Sequence, residues 1–292
     1  MIKNIIQAMR PHQWSKNFFI YAALIFSQNI FNLPLLVKTT IAFSAFCLIS
    51  SALYIFNDLK DLEEDKLHPL KSKRPIASGK IKKSTAILVI IVLSLLGFSS
   101  AFTLNKNYFI IILVYFLLQV SYSIKLKHIV ILDVFVVAVG FLIRVVAGGL
   151  AIEVSLSSWL LICTILLALF LALSKRRHEL ILLEDDASEH RPILEEYSPY
   201  LLDQMIAVVT ASTVIGYCLY TISEDTVTKF GTTNLIFTVP FVLYGIFRYL
   251  YLIHQKIEGG SPEALIIKDK PLLIDIFLWI TTAVIILYLG AK

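Results

Sequence analysis

Apolar residues run through this chain in long blocks, and polar residues gather between them. Nine blocks are long enough to cross a bilayer: roughly 17–33, 39–57, 85–104, 107–124, 129–150, 157–174, 205–223, 233–252 and 271–290. Continuous apolar runs of this length predict helices, because lipid offers no partner to an open backbone. Ahead of the first block, Ile2, Ile5, Ile6 and Met9 recur at helical spacing and stop at Pro11. That stripe predicts a short helix lying in the membrane interface. No stretch reads as a soluble domain or low-complexity linker, so the expectation is a single membrane domain over residues 1–292, all-α, with nine transmembrane helices.

Composition agrees: 58% of the 292 residues are hydrophobic, which excludes an ordinary soluble domain. The charges then orient the spans. With the N-terminus cytoplasmic, the outer segments hold Lys38, Lys106, Lys229 and Lys292, while nearly all other lysines and arginines fall on the inner side. The positive-inside rule predicts an inner-membrane protein with the N-terminus in and the C-terminus out. The net charge of +5 is therefore a topology signal and does not call for nucleic acid. Cys47, Cys163 and Cys218 lie apart within apolar blocks, as packing residues do. Homo-oligomerisation is left open.

The polar interruptions carry the chemistry. Asn57-Asp58-Leu59-Lys60-Asp61-Leu62-Glu63-Glu64-Asp65 follows the second block directly. Asp58, Asp61 and Asp65 are spaced i, i+3, i+7, which on one helix places them within about 60° of arc. Aligned carboxylates repel unless a cation sits among them. Mg²⁺ suits hard oxygen ligands and is commonly shared with substrate phosphates. Lys71, Lys73 and Arg74 follow within ten residues and would meet phosphate oxygens. Pro75 and Gly79 would turn the chain back. A solvated loop obeying the positive-inside rule explains the lysines but not the aspartates.

Three further groups stand at block ends or inside a block. Tyr122, Lys125 and Lys127 close the fourth block, where snorkelling lysines are equally ordinary. Asp133 and Arg144 lie eleven residues apart in the fifth, about three turns, so they share a face. A charge at a helix centre costs roughly 2.5–3.5 kcal/mol, so Arg144 should face a polar cavity or form an interhelical ion pair. Gly148 and Gly149 beyond it would allow close approach. Lys175, Arg176, Arg177, His178 and Glu179 end the sixth block, with Lys175 and Glu179 four apart. No histidine has transition-metal spacing.

The N-D-x-x-D-x-x-x-D element at Asn57–Asp65, the Arg74-Pro75-Ile76-Ala77-Ser78-Gly79 that follows and the nine blocks resemble the UbiA-type membrane prenyltransferases. That resemblance implies a helical bundle around a central cavity, capped by cytoplasmic loops. Those enzymes carry a second aspartate-rich element after the sixth span. Here that place reads Ser-Lys-Arg-Arg-His-Glu-Leu, with Asp185 and Asp186 later and differently spaced. Arg10-Pro11-His12-Gln13-Trp14-Ser15-Lys16-Asn17, His68-Pro69, Tyr122-Ser123, Leu126-Lys127-His128, Leu132-Asp133, Ile143-Arg144 and Lys175-Arg176 with Glu179-Leu180 are similar to the decaprenyl-phosphate phosphoribosyltransferase branch.

The branch resemblance implies Mg²⁺-dependent transfer of 5-phosphoribose from phosphoribosyl diphosphate to a polyprenyl phosphate, serving cell-envelope synthesis. Asp58, Asp61 and Asp65 would hold the metal, with Asn57 in support. Lys16, Lys71, Lys73, Arg74, Tyr122, Lys127, Asp133, Arg144, Lys175, Arg176 and Glu179 would bind or align substrates on the cytoplasmic side. The rival within the class is a prenyltransferase using an allylic diphosphate. A transporter is the rival outside it, although its charges should cross the bilayer rather than cluster at one face.

Overall fold

A computed structural model describes residues 1–67, 71–183, 192–256 and 262–289. Among them all regular structure is helical, and eight helices are long and apolar enough to cross a membrane. The chain divides into two compact units, Met1–Leu156 and Ser157–Lys292.

The first unit opens with α1 (Ile2–Met9), the expected short helix. Ala8 is buried, with Ile5 and Met9 packed beside it, while Ile2 and Ile6 stay exposed. Arg10 ends the helix in the left-handed region, φ 53°. A 3₁₀ segment, Pro11–Tyr21, and the short α2 (Ala22–Phe26) follow. Residues 17–33 were expected to form one α-helix, and the structure differs. Asn17 falls within the 3₁₀ segment and is buried, 1% exposed. The polar run Ser27-Gln28-Asn29 ends α2, with Gln28 at φ 58°.

The long α3 (Leu33–Lys60) starts from an Asn32 cap with Pro34 in its first turn. The 3₁₀ segment runs antiparallel along it. Trp14 Nε1 donates to Ser51 Oγ at 3.0 Å, Asn17 Nδ2 to Ser50 Oγ at 3.2 Å, and the Tyr21 hydroxyl to Thr40 Oγ1 at 3.1 Å. Next come α4 (Leu62–Leu67), α5 (Lys83–Leu104), α6 (Lys106–Ile124) and α7 (Leu132–Ile152). Between α4 and α5, Gly79 supplies the turn at φ 73°, its N–H donating to Ile76 O. Ile20, Phe46, Ile49, Tyr108, Ile112, Tyr115 and Ala147 form the core of this unit. The Tyr108 hydroxyl, fully buried, donates to Ala42 O at 2.7 Å and ties α6 to α3.

The second unit contains α8 (Ser158–Leu183), α9 (Pro199–Ile222), α10 (Glu224–Phe230), α11 (Val239–Gln255), α12 (Pro262–Lys268) and α13 (Lys270–Leu289). Trp279 of α13 donates to the Tyr217 hydroxyl of α9 at 2.9 Å, and that hydroxyl meets Thr238 Oγ1 at 2.7 Å. Arg177 of α8 pairs with Asp203 of α9. Arg248 of α11 makes a two-pronged pair with Asp269, at 3.1 and 2.8 Å.

Candidate active site

The last turn of α3 delivers Asn57 and Asp58. The helix stops at Lys60, Asp61 caps it, and α4 restarts at Leu62. This break decides how the acidic row is arranged. On one uninterrupted helix all three aspartates would share a face; here Asp58 and Asp65 converge and Asp61 turns elsewhere. Arg74 Nη1 donates to Asp58 Oδ1 at 3.1 Å and to Asp65 Oδ2 at 2.6 Å. Arg10 Nη2 also donates to Asp58 Oδ1. Both carboxylates are only 2% exposed. Asp61 instead accepts from Lys127 Nζ at 2.5 Å and from Asn57 Nδ2 at 3.0 Å.

Two places that the sequence kept separate are therefore one site, since Lys127 reaches Asp61 across 66 residues of chain. Arg10 is the residue that sequence reasoning missed. Its signal was slight: a cation at the end of an apolar stripe, inside the Arg-Pro-His-Gln-Trp stretch. Its guanidinium also lies 5.3 Å from the centre of the Tyr54 ring. Lys127 sits in the 3₁₀ turn Leu126–His128, and four residues later Ile131 takes φ 69°. A β-branched residue there is a true outlier, a strain that persists only where surrounding structure enforces it and that clusters at functional sites. It starts α7 so that Asp133 enters the first turn fully buried.

The outer acids behave as ordinary surface groups. Glu63 is exposed, and its bond from Lys66 holds its carboxyl below the usual range. Lys16, Lys71 and Tyr122 are half-buried, and Lys73 is exposed. Arg144 is 5% exposed. Nε donates to Asn17 Oδ1 at 2.9 Å, Nη1 to Gly140 O at 2.7 Å and Nη2 to the Tyr115 hydroxyl at 2.8 Å. In the second unit Lys175 is exposed, and the buried Arg176 donates to Glu179 Oε2 at 2.6 Å. Lys175 lies 3.9 Å from Glu179. His68, Pro69, Asp185, Asp186 and Arg191 fall outside the described residues.

Among the described residues no group of three or more His, Cys, Asp or Glu side chains is gathered for one ion. The expected row of three is a pair, with Asp61 held by Lys127. A pair still suits Mg²⁺, which usually takes one or two carboxylates and fills its shell with water and substrate phosphates. Asp58 and Asp65 already share one cationic group, so their oxygens point toward a common position of positive charge.

The chain is 33% identical to a decaprenyl-phosphate phosphoribosyltransferase of Mycolicibacterium smegmatis, over 97% of this chain and 92% of that protein. It is 33% identical to the protein of the same name from Corynebacterium glutamicum, over 98% and 87%. In fold it is similar to a UbiA homologue of Archaeoglobus fulgidus bound to GPP and Mg²⁺: TM-score 0.73, 19% identity, 96% and 97% of the two chains. The model of the UbiA prenyltransferase family matches residues 17–289, and this chain belongs to that family of multi-pass membrane transferases.

Proposed function

We propose that this protein transfers the 5-phosphoribosyl group of phosphoribosyl diphosphate to a polyprenyl phosphate and releases diphosphate. The observation that carries the reading is the buried Asp58–Asp65 pair bridged by Arg74 and flanked by Arg10. The likeness to relatives named as phosphoribosyltransferases over nearly the whole chain supports this donor. So does the run Lys175-Arg176-Arg177 where prenyl-transferring members carry acids, because the donor brings a 5-phosphate as well as a diphosphate.

Asp58 and Asp65 are the residues that would hold Mg²⁺, with Asp61 and Asn57 beside them. A bound divalent ion supplies charge neutralisation to a departing diphosphate. Arg10, Arg74 and Lys127 now donate to carboxylates. Each has donors of the kind that bind phosphate oxygens, and Arg presents them as a fork. Exchange of carboxylate for phosphate would clamp the donor without creating an unpaired charge. The bond from C1 to the diphosphate oxygen breaks, and one from C1 to an acceptor phosphate oxygen forms on the opposite face. The acceptor is already anionic at neutral pH, so no side chain has to remove a proton. Lys16, Lys71, Lys73, Tyr122, Asp133, Lys175, Arg176 and Glu179 are candidates for aligning the substrates. A groove of about 570 Å³ between α9 and α11, walled by Ile206, Ala207, Val214, Leu243 and Phe247, is a candidate seat for the lipid tail.

The reading includes nine passes, with the N-terminus and the site on the cytoplasmic side of the inner membrane and the C-terminus outside. Pro11–Tyr21 at about 2.0 Å per residue and α2 at about 1.5 Å together reach about 30 Å, the thickness of the hydrocarbon core. That length supports a broken first pass. The test is incubation of purified protein with phosphoribosyl diphosphate, a polyprenyl phosphate and Mg²⁺, followed by mass spectrometry of the lipid. A phosphoribosylated lipid is expected. Diphosphate release from a prenyl diphosphate but not from phosphoribosyl diphosphate would sink the proposal in favour of prenyl transfer.

A further inference from the structure

The 3₁₀ segment Pro11–Tyr21 is eleven residues long, whereas such helices rarely exceed about four residues because their hydrogen bonds are poorly aligned. Something outside the segment must hold it. Two contacts from α7 do so. At Gly148 backbone lies against backbone: a Cβ there would sit 2.0 Å from Ile20 O. One turn earlier Arg144 reaches Asn17, which is 1% exposed. Asn17 Nδ2 in turn donates to Cys47 Sγ and Ser50 Oγ, each at 3.2 Å. Three directional donations fix the Arg144 guanidinium, and the rings of Phe46, Tyr115 and Phe141 lie 5.0–5.3 Å from its carbon. All three acceptors are neutral.

A membrane helix carries such a charge at a cost of a few kcal/mol, and no substrate contact is needed to explain where its donors point. One of them, Nε, points at the segment that begins beside Arg10 and contains Lys16, while the other two anchor the guanidinium to α7 and α6. We infer that Arg144 is a positioning residue for the transfer reaction: through Asn17 it fixes the 3₁₀ segment and so sets where Arg10 and Lys16 meet the donor's phosphates. This rests on the function proposed above. Lysine is no substitute, because a single ammonium cannot make the same three-way fork or stack among rings.

The experiment uses the full chain in detergent. Arg144→Met is expected to raise KM for phosphoribosyl diphosphate roughly tenfold or more, as loss of a charged hydrogen bond does, with kcat within about threefold. Amide exchange should rise across residues 11–21 and not across α5. Asn17→Leu should do the same, and the double variant should lose no more than the worse single one. Asn17→Asp, which keeps the acceptor for Arg144, should recover most of the loss seen with Asn17→Leu. A merely structural role would lower the folded fraction, and hence kcat, with KM unchanged; that result, or additive losses, overturns the inference. Where Arg144→Met fails to fold, Tyr115→Phe removes one arm of the fork and is read the same way. If the wild-type protein shows no phosphoribosyl transfer, the exchange data alone decide: unchanged protection of residues 11–21 in Arg144→Met overturns the positioning role.

Discussion

Two arginine centres in the first unit make opposite use of the same side chain. At the end of α3, Arg10 and Arg74 lie on carboxylates, half-exposed, with Asp58 served twice and Arg74 shared between Asp58 and Asp65. In the middle of α7, Arg144 is buried among neutral acceptors and aromatic faces. The first centre is built of interchangeable ionic bonds, which an incoming polyanion and its cation can replace without stranding a charge. The second is built of directional bonds to groups that cannot leave. On the proposed function, the first centre keeps its charges negotiable for a ligand and the second keeps them fixed as a strut.

The largest test of that contrast is Asp58→Ala. It should lower turnover on the order of 10²–10³-fold or more, measured as diphosphate release, while the protein remains folded in detergent. Asp65→Ala should follow it. Near-normal turnover in both would remove the acidic pair from the chemistry. Chelation comes next: EDTA should stop the reaction and added Mg²⁺ should restore it, and activity insensitive to EDTA would count against the ion. Arg10→Ala should be milder, raising KM for the donor about 10- to 100-fold with little loss of stability. A fall in melting temperature with KM unchanged would put Arg10 among the struts instead.

The smallest effect belongs to a third kind of pair. Arg248 bonds hold the Asp269 carboxyl below its usual range. A lowered folded value means that its stabilisation is complete above the ordinary carboxylate range, near about pH 4. It is lost as pH falls through the lowered value. Asp269→Asn should therefore cost about 1 kcal/mol or less at neutral pH and flatten the acid limb of a melting curve. Activity should be unchanged. A large loss of turnover would show that this pair also belongs to the reaction.

The acidic stretch, its basic tail and the Tyr122–Lys127 block end stand out in the sequence, because charges beside apolar blocks are costly. Their joining was not legible. Asp61 meets Lys127 only because the chain breaks at Lys60 and α6 returns to the same level. The spacing of Asp58, Asp61 and Asp65 suggested three ligands on one face, and a single cap residue divided them. Arg10 was hidden because one cation after a short amphipathic helix looks like any positive-inside residue.

What the chain alone determined was its solvent and its helical content. Apolar blocks of about twenty residues leave the backbone no other choice in lipid, and among the described residues eight of the nine appear as long helices. What tertiary structure decided was the fate of the exceptions. Asn17 inside an apolar block and Arg144 inside another are each unfavourable alone, and local pattern could not say that they meet. Partners 127 residues apart satisfy each other only after α7 has packed against the 3₁₀ segment.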